Sequence, residues 1–257
     1  MTRRPSPVIA ASFAARRGVR AEDLVAKAIA TGGTVFVFPG QSSCLTGGAL
    51  AAVECAHAFR AQLRLCEDAF AEFVDWSLLG TVQRGAGCPR PDRPDVAPSL
   101  LFAITVSLAA QWRAMGIHPD AVIGLALGEV AAAYVAGALS LRDAARVVTL
   151  CGNAIGAVPD THGAEVDTLR QRLRISLGGM RSRCADVPFI SSVTGAGLDT
   201  SILDADYWFA NLQQAGLFDE AVRWSCERGY RTFIECSPCP VLIPGIQKFL
   251  GEIASST

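Results

Sequence analysis

Two glycines four positions apart, Gly124 and Gly128, bracket Leu125-Ala126-Leu127. A β-rich run, Ala121 to Ile123, precedes them, and an apolar stretch with helical spacing begins at Glu129. Strand, Gly-x-x-x-Gly, helix is the frame of a nucleophile elbow. The glycines permit a sharp turn with the helix packed close on the strand, and the central residue is held exposed in a strained conformation. A hydrolase or acyl-transferring enzyme places Ser there, with its hydroxyl above the helix N-terminus. This chain has Ala126, and a methyl group cannot attack a thioester. On this motif alone two readings are open: a glycine-flanked turn between buried elements, or an elbow without its nucleophile.

The elements that would position the turn follow from periodicity. Thr34 to Phe38 (TVFVF) reads as a buried strand stopped by Pro39-Gly40. Ala49 to Phe73 has helical apolar spacing, and Gly85 to Pro98, rich in Pro, Gly and Arg, predicts a surface loop. Further helices are expected over Pro98 to Met115, Leu141 to Leu150, Asp160 to Leu173 and Tyr207 to Arg228. Val187 to Val193 and Thr232 to Cys236 read as strands. Strands alternating with helices predict an α/β domain with a mostly parallel sheet. We place it at residues 34–250, after a polar, Arg-rich leader, residues 1–33, with one amphipathic helix near Ala21 to Ala30.

Composition narrows the function. The 257 residues carry 23 basic and 24 acidic side chains, so the basic face of a nucleic-acid binder is not expected. Hydrophobic residues make up 51%, enough for a sizeable core. Nine cysteines, an odd number, predict mostly reduced thiols and a cytoplasmic location rather than a disulfide scaffold. The apolar run Val8 to Ala15 after Arg3-Arg4 is too short for a signal peptide and is followed at once by Arg16-Arg17. Ala121 to Leu141 is long enough to cross a membrane, but Glu129 sits in it and Gly124 and Gly128 punctuate it. A carboxylate at a bilayer centre costs about 2.5 kcal/mol or more. A buried strand, tight turn and helix are expected instead, with no membrane partner.

Four segments carry a wider resemblance: Phe36-Val37-Phe38-Pro39-Gly40-Gln41, Gly124 to Arg146 (GLALGEVAAAYVAGALSLRDAAR), Tyr207-Trp208 with Asn211-Leu212, and Phe233 to Pro238. From about Val35 to Phe249 the chain resembles the acyltransferase domains of modular polyketide synthases and the malonyl-CoA:ACP transacylases. The resemblance implies a three-layer, α/β-hydrolase-like large subdomain, into which the family inserts a ferredoxin-like small subdomain. It implies an acyl group passed from CoA to Ser and on to a carrier protein. The implied oxyanion hole is the backbone N–H of Gln41 and of Leu127, the implied catalytic histidine is His162, and Glu129, also kept by the family, is expected to cap the helix or orient nearby backbone.

The chain departs from that pattern. The family's Gly-His-Ser-x-Gly has Leu125 and Ala126 in place of His and Ser. The Arg that pairs with the substrate carboxylate falls on Cys151, and a neutral thiol cannot make that bidentate pair. Ten residues separate Cys151 from His162, too few for the small subdomain, so that subdomain is expected to be missing and the link to lie flat on the surface. Cys239 replaces His in Ser-Pro-His-Pro, and Cys44 replaces the second Gln of the Pro-Gly-Gln-x-x-Gln loop. Leu125, Cys44, Cys151 and Cys239 thus map to the substrate pocket. The thiols, Cys236 included, are small fillers, or one is a nucleophile activated by His162, or Cys236-x-x-Cys239 with His162 and another Cys binds zinc. We expect fillers, no metal and no cofactor. The leading reading is an acyltransferase-like protein of polyketide biosynthesis that binds a carrier protein, a synthase module or an acyl intermediate without standard acyl transfer. The alternative is a repurposed enzyme that uses His162 with a Cys or a reshaped pocket.

Overall fold

The computed structural model describes residues 9–12, 32–41, 56–83, 85–157, 164–213 and 216–255. Among these residues six strands form one sheet: β1 (Ile9–Ser12), β2 (Thr34–Phe38), β3 (Ala121–Gly124), β4 (Phe189–Ser191), β5 (Ala196–Leu198) and β6 (Thr232–Glu235). Their spatial order is β1-β6-β2-β3-β4-β5. All neighbours pair parallel except β4 and β5, which close the edge as an antiparallel pair.

The period of two along β2 builds the layers. Phe36 and Phe38 point into one core, and Val35 and Val37 into the other. All five residues of β2 are buried, as a parallel strand covered on both faces requires. The first core is filled by α1 (His57–Phe70), α3 (Ala97–Ala114), α4 (Gly128–Val135) and α5 (Leu141–Ala157), with the short α2 (Leu78–Val82) beside them. The second is closed by α8 (Phe218–Glu227) and α9 (Ile243–Ser255). Helices α6 (Ala164–Ser176) and α7 (Ala205–Gln213) pack on the first side. This is the expected three-layer α/β architecture. Helix α3 is buried along most of its length and opens with Pro98 in its first turn, where a missing N–H leaves no bond unmade. Each of its buried Leu, Ile and Phe side chains contributes about 1.5–3 kcal/mol.

Several expectations change. Ile9–Ser12, assigned to the leader, pairs with β6 as an edge strand of the sheet. Four residues are too few to show a period in sequence. Helix α5 runs on to Ala157, so the link after Cys151 continues as helix rather than lying flat. The stretch Tyr207 to Arg228 is two helices, one ending at Gln213 and the next beginning at Phe218. Strand β5, α2 and α9 had no assignment from sequence. The amphipathic segment 21–30 and the start of the helix expected from Ala49 lie outside the described residues. Ala121 to Leu141 forms strand, turn and helix, and among the described residues no helix is long and apolar enough to cross a membrane.

Candidate functional site

The turn between β3 and α4 has the geometry of an elbow. Ala126 has φ +49°, the one positive φ at a non-glycine position among the described residues. A left-handed residue with a Cβ costs about 1–2 kcal/mol, so packing around it must hold it there. Gly128 shows how tight that packing is: a Cβ on it would lie 2.1 Å from the carbonyl oxygen of Phe38 at the end of β2. Gly40 completes the approach from the other side, since a Cβ there would come within 2.3 Å of the Leu125 carbonyl oxygen and 3.0 Å of the Ala126 methyl.

Backbone hydrogen bonds fix the rest of the turn. The Leu125 N–H donates to Phe38 O at 3.0 Å, Gly128 to Leu125 O at 2.9 Å, and Glu129 to Ala126 O at 2.9 Å. The Leu127 N–H takes no partner among the described residues. It faces the Pro39-Gly40-Gln41 loop, lying 3.1 Å from the place a Gly40 Cβ would occupy. The Pro39-Gly40 loop that leads to Gln41 therefore lies against Leu125, Ala126 and Leu127. The crevice behind them is lined by Pro39, Pro98, Leu101, Phe102, Leu127 and Ala131 and encloses about 10 Å³, room for at most one water. A larger cavity, about 430 Å³, lies at the other end of α4, beside Arg113, Tyr134 and Asp186.

Glu129 supports the elbow from within. It does not cap α4, whose N-terminus has no side-chain cap. Instead its carboxylate is fully buried and accepts from three donors: the Ser192 N–H after β4, the Tyr207 hydroxyl at 2.5 Å and the Asn211 amide at 3.0 Å, both on α7. Tyr207 also shares a 2.7 Å hydrogen bond with Ser191 Oγ. Burial pushes the Glu129 carboxyl up from its ordinary value, while the hydrogen bonds pull it down. The Tyr207 hydroxyl is likewise pushed up, by burial and by the neighbouring carboxylate. Ser192 Oγ and Asn211 Oδ1 are buried here without a partner. The sequence flagged Glu129 as a charge inside an apolar run, but its partners lie 63 to 82 residues away and no local pattern points to them.

Among the described residues, the thiols expected at the site are buried or half-buried. Cys151 is fully buried in α5, and burial pushes its thiol up to about 12. Cys236 is buried at the end of β6, its thiol raised by burial and by adjacent Glu235. Cys239 is half-buried in the following turn, where its carbonyl accepts from Ser237 Oγ. A second buried carboxylate organises this turn: Glu235 accepts from Ser237 Oγ at 2.8 Å and from the N–H groups of Val241, Leu242 and Ile243 at 2.8–3.0 Å, capping α9. No group of three or more His, Cys, Asp or Glu is placed to hold a metal among the described residues. His162 and Cys44 lie outside the described residues.

Comparison with known proteins agrees with this framework. The family model described as "Acyl transferase domain" matches residues 35–159 and 160–256. Mycoketide-CoA synthase of Mycobacterium tuberculosis is 42% identical over an alignment covering 86% of this chain and 7% of that protein. The chain thus spans a small part of that relative. The alignment runs over 288 positions, more than the 257 residues here, so the relative holds residues without a counterpart in this chain. The acyltransferase domain from module 8 of the salinomycin polyketide synthase superposes with a TM-score of 0.80 at 34% identity, covering 86% of this chain and 68% of that one. A loading acyltransferase from the avermectin modular polyketide synthase gives 0.79 at 32% identity, covering 86% and 92%. With the family model matched over most of its length and the elbow geometry in place, the chain belongs to the acyl transferase domain family, among the acyltransferase domains of polyketide synthases.

Proposed function

We propose that this domain keeps the acyltransferase framework but forms no acyl-enzyme, and that it serves polyketide biosynthesis by binding a carrier domain, a synthase module or an acyl intermediate. The observation that carries this reading is Ala126 at φ +49°. The backbone still holds the strained nucleophile conformation, and the residue in it has no nucleophilic atom. Burial of Cys151 argues against both a carboxylate-pairing role there and a replacement thiolate, since a thiol near 12 is protonated at neutral pH. The absent small subdomain is part of the same proposal. It is supported by the abutting family matches at 159 and 160, by the alignment that outruns the chain, and by the single sheet among the described residues. The relatives are polyketide synthases, which makes a carrier domain or a module the partner to test first.

Intact-mass measurement after incubation with malonyl-CoA and methylmalonyl-CoA tests the reading. An unchanged mass, together with measurable binding of a carrier domain, is expected. A stable acyl adduct on the wild-type chain, released on addition of a carrier domain, would end it.

A further inference from the structure

The second half of α6 and the segment after it carry five arginines between positions 170 and 183, with no acidic residue from 168 to 185. In a chain of net charge −1 that is a local concentration of one sign. The segment is fastened to the turn before α7. Ser182 Oγ donates to Ser201 O at 3.0 Å, and the Ala185 N–H donates to Thr200 Oγ1 at 2.8 Å. Arg170 and Arg174 converge on Asp206 of α7 at 2.8 and 2.9 Å. The other three, Arg172, Arg181 and Arg183, are exposed and make no ion pair among the described residues.

The same two segments also expose apolar side chains. Ile175 is 70% exposed, the most of any large hydrophobic side chain described, and Ile202 is 53% exposed. Ile175 neighbours Arg172 at i,i+3 spacing on α6. Ile202 follows Ser201, which Ser182 binds from between Arg181 and Arg183. A single exposed isoleucine means little. Two of them on the paired segments that also carry the unpaired guanidinium groups supply the apolar and cationic side chains of which protein-docking patches are made.

We propose that this face docks an acidic protein surface, which under the reading above is the carrier domain of a polyketide synthase; the proposal rests on that reading for the identity of the partner. Carboxylates of the partner pair with Arg172, Arg181 and Arg183, and an apolar side chain covers Ile175 and Ile202. Charge complementarity favours this occupant. All five cations are Arg, whose planar fork matches a carboxylate bidentately, and Arg174 already makes that pair with Asp206. A nucleic acid would meet the same guanidinium groups, but the net charge of −1 lends no long-range attraction to a polyanion.

The test is fluorescence anisotropy of a labelled carrier domain from a modular polyketide synthase, bearing its phosphopantetheine arm, titrated with the full chain at 50 and 300 mM NaCl. Wild-type affinity should fall with salt. The triple variant R172E/R181E/R183E should bind at least tenfold more weakly, and Ile175→Ser at least threefold. The pair R60E/R64E, exposed on α1, should bind as wild type. Thermal melts confirm that each variant is folded, and Ile175→Ser alone decides the matter should the triple variant unfold. Binding that survives the triple reversal and Ile175→Ser overturns this surface and leaves the carrier reading intact. No binding by the wild type overturns both. Tighter capture by phosphatidylglycerol vesicles or duplex DNA than by the carrier replaces the acidic protein with a lipid or a nucleic acid. An acyl adduct in the mass experiment ends the preceding reading and leaves this surface standing.

Discussion

Replacing Glu129 separates the elbow's internal support from everything on its surface. In Glu129→Ala the buried N–H of Ser192 and the Asn211 amide lose their acceptor, while Tyr207 keeps Ser191. Each buried donor left unmatched costs about 1–3 kcal/mol. With the cavity added, the loss is about 3–5 kcal/mol, a large share of the 5–15 kcal/mol typical of a whole domain. For a chain of this size that lowers Tm by about 10 °C. Glu129→Gln should behave differently. Its Oε1 can accept from Ser192, and its Nε2 can donate to the Tyr207 oxygen and to Asn211 Oδ1, an atom without a partner in the wild type once the amide turns over. A loss below about 1.5 kcal/mol is expected. The same pair reads out protonation. Burial raises the Glu129 carboxyl in the folded state, so the folded chain holds that proton more tightly than the unfolded chain. The stability this group contributes is fully present below the ordinary value of 4.5 and is lost as pH rises through the folded value. Urea denaturation of wild type and Glu129→Gln from pH 4 to 8 should show the difference moving against the wild type as pH rises. An alanine variant as stable as wild type, or a glutamine variant as damaged as the alanine one, would refute the network as described.

Three other outcomes follow from the same geometry. Gly128→Ala should cost about 3 kcal/mol in urea denaturation, because its Cβ meets the Phe38 carbonyl and neither backbone can yield cheaply. Glu235→Ala should cost about 2–4 kcal/mol by the same method, since three N–H groups of the α9 N-terminus lose a buried carboxylate; a loss under 0.5 kcal/mol, on the order of a surface substitution, would show that water replaces the cap. Iodoacetamide at neutral pH should label exposed Cys184 well before Cys66 and Cys151, both buried with thiols pushed up to about 12; rapid labelling of Cys151 in the native chain would revive thiol chemistry.

What was legible in the sequence had a local cause. The five β-branched and aromatic residues of β2, the Pro at the start of α3 and the glycine spacing of the elbow each act within a few residues, and their elements form where expected. The elements that escaped notice depend on distant partners. Strand β1 exists through its pairing with β6, more than 200 positions away, and α9 begins where a carboxylate on β6 caps it. The candidate site divides the same way. Leu125, Ala126 and Leu127 meet Gly40, the neighbour of Gln41, because one loop and one turn approach closely. The network around Glu129 needed β4 and α7 to be placed before its donors could be named.

The most direct test of the central claim, that the elbow persists while standard acyl transfer is lost, is intact mass of the Ala126→Ser variant after incubation with malonyl-CoA, beside the wild type. The hydroxyl would stand at the strained elbow position, next to the Leu127 N–H. Leu125 and the buried Cys151 would still supply neither the histidine nor the guanidinium of the family pattern. The account predicts no adduct on the wild type and at most a trace on Ala126→Ser, with no malonyl group passed to a carrier domain. Full malonylation of the single variant, followed by transfer to the carrier, would contradict it.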